Sequence, residues 1–224
     1  MLGSGRGGGG MILPIDPAQW PTGGYDVVYA DPPWPYKDRS LNRGGAARHY
    51  SVMTAADIFA LPVSKLARRD AMLFLWATGP NLPLALETMA AWGFLYVGVA
   101  FTWLKTNKDN TLFMGMGHYT RSNAEFCLLG KRGKALKRLH KGIPMAQIHA
   151  RESHSAKPEA FRDAINGLYG RDVARVELFA RGEHGQMRHG DWDFWGNEVA
   201  APRAIEDLTA EGHGISRTEE GESA

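Results

Sequence analysis

Apolar residues gather in five runs along the chain, at residues 25–30, 71–77, 94–104, 124–129 and 174–180. Each run is short, rich in β-branched or aromatic residues and nearly continuous rather than alternating, which predicts strands buried on both faces. Between them the apolar positions recur at helical spacing over residues 54–67, 82–92 and 158–169, with Thr54 and Asn81 placed as N-caps. Strands alternating with helices predict an α/β fold built on one sheet with helices on both faces. In such sheets ligands bind outside the carboxyl ends of the strands.

Two segments fall outside this pattern. Residues 3–10 hold six glycines in eight, so residues 1–10 read as a flexible leader, with Met11 as an alternative start. Residues 200–224 are polar and acidic without amphipathic spacing and read as a disordered tail. That leaves a folded domain over residues 11–199, and a chain of 224 residues fits one domain with a sizeable core. The N-terminus lacks the apolar core of a secretory signal and no apolar run approaches a membrane span, so the expected home is the cytoplasm. The single cysteine, Cys127, excludes an internal disulfide, and no Cys/His cluster has zinc spacing. No metal is expected.

Charge changes the picture more than composition does. The net charge of +2 conceals an acidic tail, six acids against two bases from Ala200 onward, and a body of 24 bases against 18 acids. A basic body suits a polyanionic partner. Residues 37–50 are polar and carry Lys37, Arg39, Arg43 and Arg48; residues 131–141 hold six Lys or Arg, with no acid between Glu125 and Glu152. Either stretch could track phosphates, and either could be a solvated face.

The chemistry concentrates at Asp31-Pro32-Pro33-Trp34, directly after the first apolar run. An aromatic exocyclic amine is a poor nucleophile until acceptors hold its hydrogens and favour a tetrahedral nitrogen. Asp31 supplies a carboxylate, and Pro32 a carbonyl on a residue with no N–H of its own. The prolines fix their own φ and extend the residue before them, so the acceptors are set before a substrate arrives. Trp34 adds a π face on which a base could stack, worth roughly 1–3 kcal/mol. The motif thus invites methyl transfer to a nucleobase amine, against the plain alternative of a strand ending in an Asp-Pro turn.

The remaining motifs decide between these. His49-Tyr50-Ser51-Val52-Met53, Leu73-Phe74-Leu75-Trp76, Ala91-Trp92-Gly93-Phe94, Trp103-Leu104-Lys105-Thr106, Glu125-Phe126-Cys127-Leu128-Leu129-Gly130, Ser155-Ala156-Lys157-Pro158-Glu159, Glu177-Leu178-Phe179-Ala180-Arg181 and Trp195-Gly196-Asn197-Glu198 follow the tetrapeptide in one order. From about Tyr25 to Glu198 the chain resembles the N6-adenine methyltransferases of the Asp-Pro-Pro-Trp type, whose members include the eukaryotic messenger-RNA adenosine methyltransferase and bacterial and phage relatives.

The resemblance implies a Rossmann-like methyltransferase sheet, mixed but mostly parallel, with S-adenosylmethionine as donor. It implies that Asp31, Pro32, Pro33 and Trp34 form the catalytic motif, with Tyr50, Lys105, Glu125 and Arg48 around the base. For the donor it implies Asp31 itself, Lys157 on the methionine carboxylate, and Asn197 and Glu198 on the ribose, with Ile15 and Asp16 against the adenine. Arg181 and His184 would join them, although the family carries a His and an Asn two and three residues beyond this Arg where this chain has Glu183 and His184. The implied partner is nucleic acid, DNA ahead of RNA because the chain has no appended zinc or RNA-binding module; monomer and homo-oligomer stay equally open. A non-catalytic nucleic-acid-binding partner with the same fold is the rival reading, and retention of Asp31, Trp34, Lys157 and Asn197 speaks against it.

Overall fold

The structure, a computed structural model, describes residues 24–35, 53–117, 119–151, 156–180, 188–189 and 192–196. Its element order is β1 (Tyr25–Ala30), α1 (Ala55–Ala60), α2 (Val63–Leu66), β2 (Ala67–Ala77), α3 (Leu82–Ala91), β3 (Leu95–Thr106), β4 (Ala124–Arg132), β5 (Ala146–Ala150), α4 (Ala160–Tyr169), β6 (Arg175–Leu178), β7 (Arg188–His189) and β8 (Trp192–Trp195). The eight strands form one sheet in the order β5-β3-β4-β2-β1-β6-β8-β7. Pairs β1·β2, β1·β6, β3·β5 and β6·β8 are parallel, and β2·β4, β3·β4 and β7·β8 antiparallel. The sheet is therefore mixed, with a parallel centre around β1.

Side-chain alternation sorts the core into two layers. Val28, Ala30, Leu73 and Leu75 face one way and meet Ile58, Val63, Leu66, Ala85, Met89 and Trp92 of α1 to α3. Val27, Tyr29, Phe74, Trp76, Phe101 and Cys127 face the other way and meet Phe161, Ile165 and Tyr169 of α4. Each fully buried large apolar side chain is worth about 1.5–3 kcal/mol relative to exposure, so α4 is held chiefly by these three residues. The Phe161 ring lies 4.8 Å from the Trp76 ring and 5.4 Å from that of Phe101. This packing fixes the start of α4, and with it the segment just before, against the end of β2.

Polar ties set the register at the amino-terminal edge. Arg68 donates to both oxygens of Asp26, whose Oδ2 also accepts the Ala174 N–H at 2.9 Å, joining β1, β2 and β6. The Tyr25 hydroxyl donates to Asp193 across β6 at 2.7 Å.

Several expectations need adjusting. The helical pattern over residues 54–67 resolves into two short helices, because Pro62 between them has no N–H to donate and cannot continue α1. Thr54 caps α1 through a capping box with Asp57, as its position predicts. Asn81 occupies the N-cap of α3 but makes no cap bond; its amide donates instead to Thr78 Oγ1 at 3.1 Å. Strands β5, β7 and β8 carry no run long enough to have been predicted. The leader and the tail lie outside the described residues, and among the described residues no helix is long and apolar enough to cross a membrane.

Candidate active site

β1 delivers Asp31 at its carboxyl end. Tyr29 faces the α4 layer, so Asp31 two residues on emerges on that same side. The chain then turns at the prolines, where the Trp34 N–H donates to the Pro32 carbonyl at 2.8 Å and the Met53 N–H to the Pro33 carbonyl at 3.2 Å. Trp34 returns into the opposite layer, 6% exposed, with its indole N–H donating to the Trp76 carbonyl at 2.9 Å. The tetrapeptide thus straddles the sheet edge, its acid on one face and its indole locked into the other. The Pro32 carbonyl has two lone pairs, and the Trp34 amide is its one backbone donor among the described residues.

Three further charged residues converge on Asp31 from distant parts of the chain. Lys157, just before Pro158 and α4, places its ammonium 2.5 Å from Asp31 Oδ2 and 3.2 Å from Glu125 Oε2. Glu125, at the start of β4, also binds the ammonium of Lys105 near the end of β3. β4 runs antiparallel to both β2 and β3, so its first residues meet the carboxyl ends of those strands; Glu125 lies opposite Trp103. The result is a row of alternating sign, Asp31, Lys157, Glu125 and Lys105. Indole faces line it: Lys157 Nζ is 5.4 Å from the Trp76 ring centroid and Lys105 Nζ 4.8 Å from that of Trp103.

Pairing decides the protonation of this row. Burial pushes Lys157 towards its neutral form, but Asp31 and Glu125 outweigh it and raise the ammonium above its ordinary range. Burial likewise pushes the Glu125 carboxyl up, and the cations of Lys157 and Lys105 outweigh it and hold the group below the usual carboxylate range. Both stay charged at neutral pH. A buried cation held between two carboxylates offers an incoming carboxylate a fixed positive partner, while Asp31, released, can receive an amine. The donor set therefore fits a small zwitterion with an amine-bearing ring beside it.

Asp31, Pro32, Pro33, Lys105, Glu125 and Lys157 lie together here, whereas Trp34, expected to offer a stacking face, turns its indole into the opposite core layer because its N–H is drawn to the Trp76 carbonyl. Ile15, Asp16, Arg48, Tyr50, Arg181, His184, Asn197 and Glu198 lie outside the described residues. Sequence reasoning missed the roles of Trp76 and Trp103, although strand alternation puts Trp76 on the Asp31 side of β2. It also missed Arg162, which donates to Glu177 at 2.7 Å beneath Tyr29, the register partner of Glu177 on β1. The basic stretch 131–141 begins where β4 pairs with the start of β2, at the edge remote from Asp31, and Leu139 bonds to Leu168 near the end of α4. That stretch is not part of the site. Cys127 is buried, and burial pushes its thiol well above the ordinary range, as befits a core residue. No group of three or more His, Cys, Asp or Glu among the described residues could hold a metal ion.

Comparison with known proteins follows the same residues. The MT-A70 family pattern matches residues 25–198. The chain is 33% identical over 209 residues to the type II methyltransferase M.MunI of Mycoplasma sp, covering 84% of each protein. It is 28% identical over 187 residues to a probable N(6)-adenosine-methyltransferase MT-A70-like protein of Oryza sativa subsp. japonica, covering 83% of this chain and 24% of that one. With the N(6)-adenosine-methyltransferase catalytic subunit METTL3 of Homo sapiens it shares 29% identity over 180 residues, 79% of this chain and 28% of the relative.

Proposed function

The chain belongs to the MT-A70 family, and from that premise we propose that it transfers the methyl group of S-adenosylmethionine to the N6 amine of adenine in nucleic acid, with DNA as the polymer. The observation that carries this reading is the junction of Asp31 with Lys157 and Glu125 at the carboxyl edge of the central strands. The donor supplies a methyl group on a positively charged sulfur. The chain's own residues do the rest.

Asp31 accepts one N–H of the target amine and the Pro32 carbonyl accepts the other, which draws the nitrogen towards tetrahedral geometry. Asp31 is also the nearest acceptor for the proton that the amine sheds. Lys157 offers its ammonium to the donor's carboxylate, and Glu125 keeps that ammonium in place when Asp31 lets go. Lys105 balances Glu125. Trp34, buried in the opposite layer and pinned to the Trp76 carbonyl, holds the turn that carries Asp31 and Pro32 in place beside the base. Asn197 and Glu198 are assigned to the ribose, with Arg181 and His184 beside them, Ile15 and Asp16 to the donor's adenine, and Tyr50 and Arg48 to the base.

DNA is favoured because the chain is more similar to the type II methyltransferase, at 33% identity, than to the relatives named for adenosine, at 28% and 29%. RNA is the second reading, since adenosine in those names is a ribonucleoside. Expression in a host that lacks adenine methylation, followed by digestion and nucleoside mass spectrometry of both polymers, separates them. We expect N6-methyladenine in DNA from cells with the wild-type chain and none with Asp31→Ala. Methylation confined to RNA would reverse the polymer. Methylation that persists with Asp31→Ala would remove Asp31 from its role. A purified chain that binds oligonucleotides and transfers no methyl from added donor would be the non-catalytic partner.

A further inference from the structure

The connection from β3 to β4, described at residues 107–117 and 119–123, leaves the sheet two residues after Lys105 and returns two residues before Glu125. Its base is tied shut: the Lys105 N–H donates to the Asn123 carbonyl at 2.8 Å, and the Phe113 N–H to the Lys105 carbonyl at 2.9 Å. A first turn is closed by Asp109, whose Oδ1 accepts the Thr111 N–H at 3.1 Å and its hydroxyl at 2.6 Å. Further out the Gly115 N–H donates to the Ser122 carbonyl at 3.1 Å. The two arms approach so closely that a Cβ on Gly115 would stand 2.1 Å from the Ser122 oxygen, and one on Gly117 1.9 Å from the Thr120 oxygen. This is a stiff finger rather than a loose loop.

What the finger presents is unusual. Met114, Met116 and Tyr119 are 65%, 91% and 102% exposed, above the 53% and 50% of Met145 and Tyr96 elsewhere on the surface. Its flanks are cationic: Lys108 and Arg121 belong to it, and the Arg151 guanidinium lies 3.7 Å over the Phe113 ring. Its one acid, Asp109, is committed to the turn.

An apolar tip between cations, rooted at two members of the charged row, matches one occupant better than others. A target adenine must leave its stack to bring N6 to Asp31, and proteins that open a stack insert apolar side chains into the gap while cations hold the flanking phosphates. We propose that the finger is a stack-opening wedge, with Met116 and Tyr119 filling the space left by the extruded adenine and Arg121 and Lys108 on the phosphates beside it. The proposal rests on the reading that this site methylates a nucleobase in a polymer.

The test compares paired with unpaired substrate. Wild type, the double variant Met116→Ala/Tyr119→Ala, and Tyr119→Phe are assayed for transfer of labelled methyl from S-adenosylmethionine to unmethylated genomic DNA, native and heat-denatured, with folded and denatured RNA alongside. Both side chains are exposed, and thermal melting of each variant verifies that the fold survives. The double variant should lose about tenfold or more on the paired polymer and keep activity within about threefold on single strands, because an already unstacked base needs no wedge. Tyr119→Phe, which keeps the ring, should stay near wild type on both. Equal loss on both forms, no loss on either, or a wild type active only on single strands would overturn the wedge alone. A wild type that methylates no polymer would overturn the function, and the wedge with it.

Discussion

Lys157 and Asp31, 126 positions apart in the chain, meet at 2.5 Å, and the same ammonium reaches Glu125 at 3.2 Å. The carboxylate assigned to the substrate amine is therefore engaged by a cation. Transfer of that ammonium from Asp31 to the donor's carboxylate would couple donor binding to the readiness of Asp31. Glu125 makes the transfer feasible, because it retains Lys157 whichever partner Lys157 takes.

Replacing Lys157 with Met leaves two carboxylates facing each other with one cation fewer. Breaking a buried pair costs about 3–5 kcal/mol, and the lower end applies because the Asp31 side chain keeps 25% exposure. Urea unfolding should register that loss. Calorimetric titration with S-adenosylmethionine should show affinity falling by about tenfold or more. Unchanged donor affinity would detach Lys157 from the donor.

The charged row also sets the stability profile with pH. Glu125 has a depressed pKa in the folded chain, so its stabilisation is complete above the unfolded value of 4.5 and is lost as pH falls through the lower folded one. Lys157 has a raised pKa, so its share is complete below the unfolded value of 10.5 and is lost as pH rises through the higher folded one. Glu125→Gln should lower stability at pH 7 and flatten the decline between pH 5 and 3 relative to wild type, measured by urea titration at each pH. Parallel curves for the two proteins would show that Glu125 does not contribute the acid limb.

Trp34 is both a member of the tetrapeptide and a core residue. Trp34→Phe keeps an aromatic face but withdraws the donor from the Trp76 carbonyl, a loss of about 1–3 kcal/mol for a buried acceptor left short. The expected result is a lower melting temperature together with a fall in kcat, because the turn that carries Asp31 is no longer held at one angle. Loss of stability with full turnover would assign Trp34 to the core alone.

How much of this was legible in the sequence follows from range. Tyr25–Ala30 is visible because a buried parallel strand must be apolar throughout, and its boundary at Asp31 is chemical as well as structural. The four residues of β8, Trp192-Asp193-Phe194-Trp195, are too few to carry a period, and β5 places exposed Ala146 and half-buried His149 at an edge where no apolar run is needed. Thr54 is readable because its partner Asp57 is three residues away. The contacts of Lys157 are not, since nothing local says that the start of α4 packs against the ends of β1 and β4; only the resemblance pointed to a role for Lys157. Trp76 went unassigned for the same reason, its two functions being a backbone acceptor for Trp34 and a ring beneath Lys157.

Gly196 offers a test at the other half of the site. A Cβ there would stand 2.2 Å from the Ala180 carbonyl oxygen and 2.8 Å from its nitrogen, and these are backbone atoms that no rotamer change can move. The same junction holds Phe179 at a φ of 65°, uncommon for a residue with a side chain, and the Ala180 N–H donates to the Trp195 carbonyl at 3.0 Å. Gly196→Ala must therefore pry the end of β8 from the end of β6, just before Asn197 and Glu198 in the chain. Because the disturbance is at the rim and both core layers stay intact, the melting temperature should fall by only a few degrees, the shift expected for about 1 kcal/mol. Donor affinity by calorimetry should fall by about tenfold or more if Asn197 and Glu198 hold the ribose. A variant with wild-type donor affinity and the same small drop in melting temperature would move the ribose site away from this strand end.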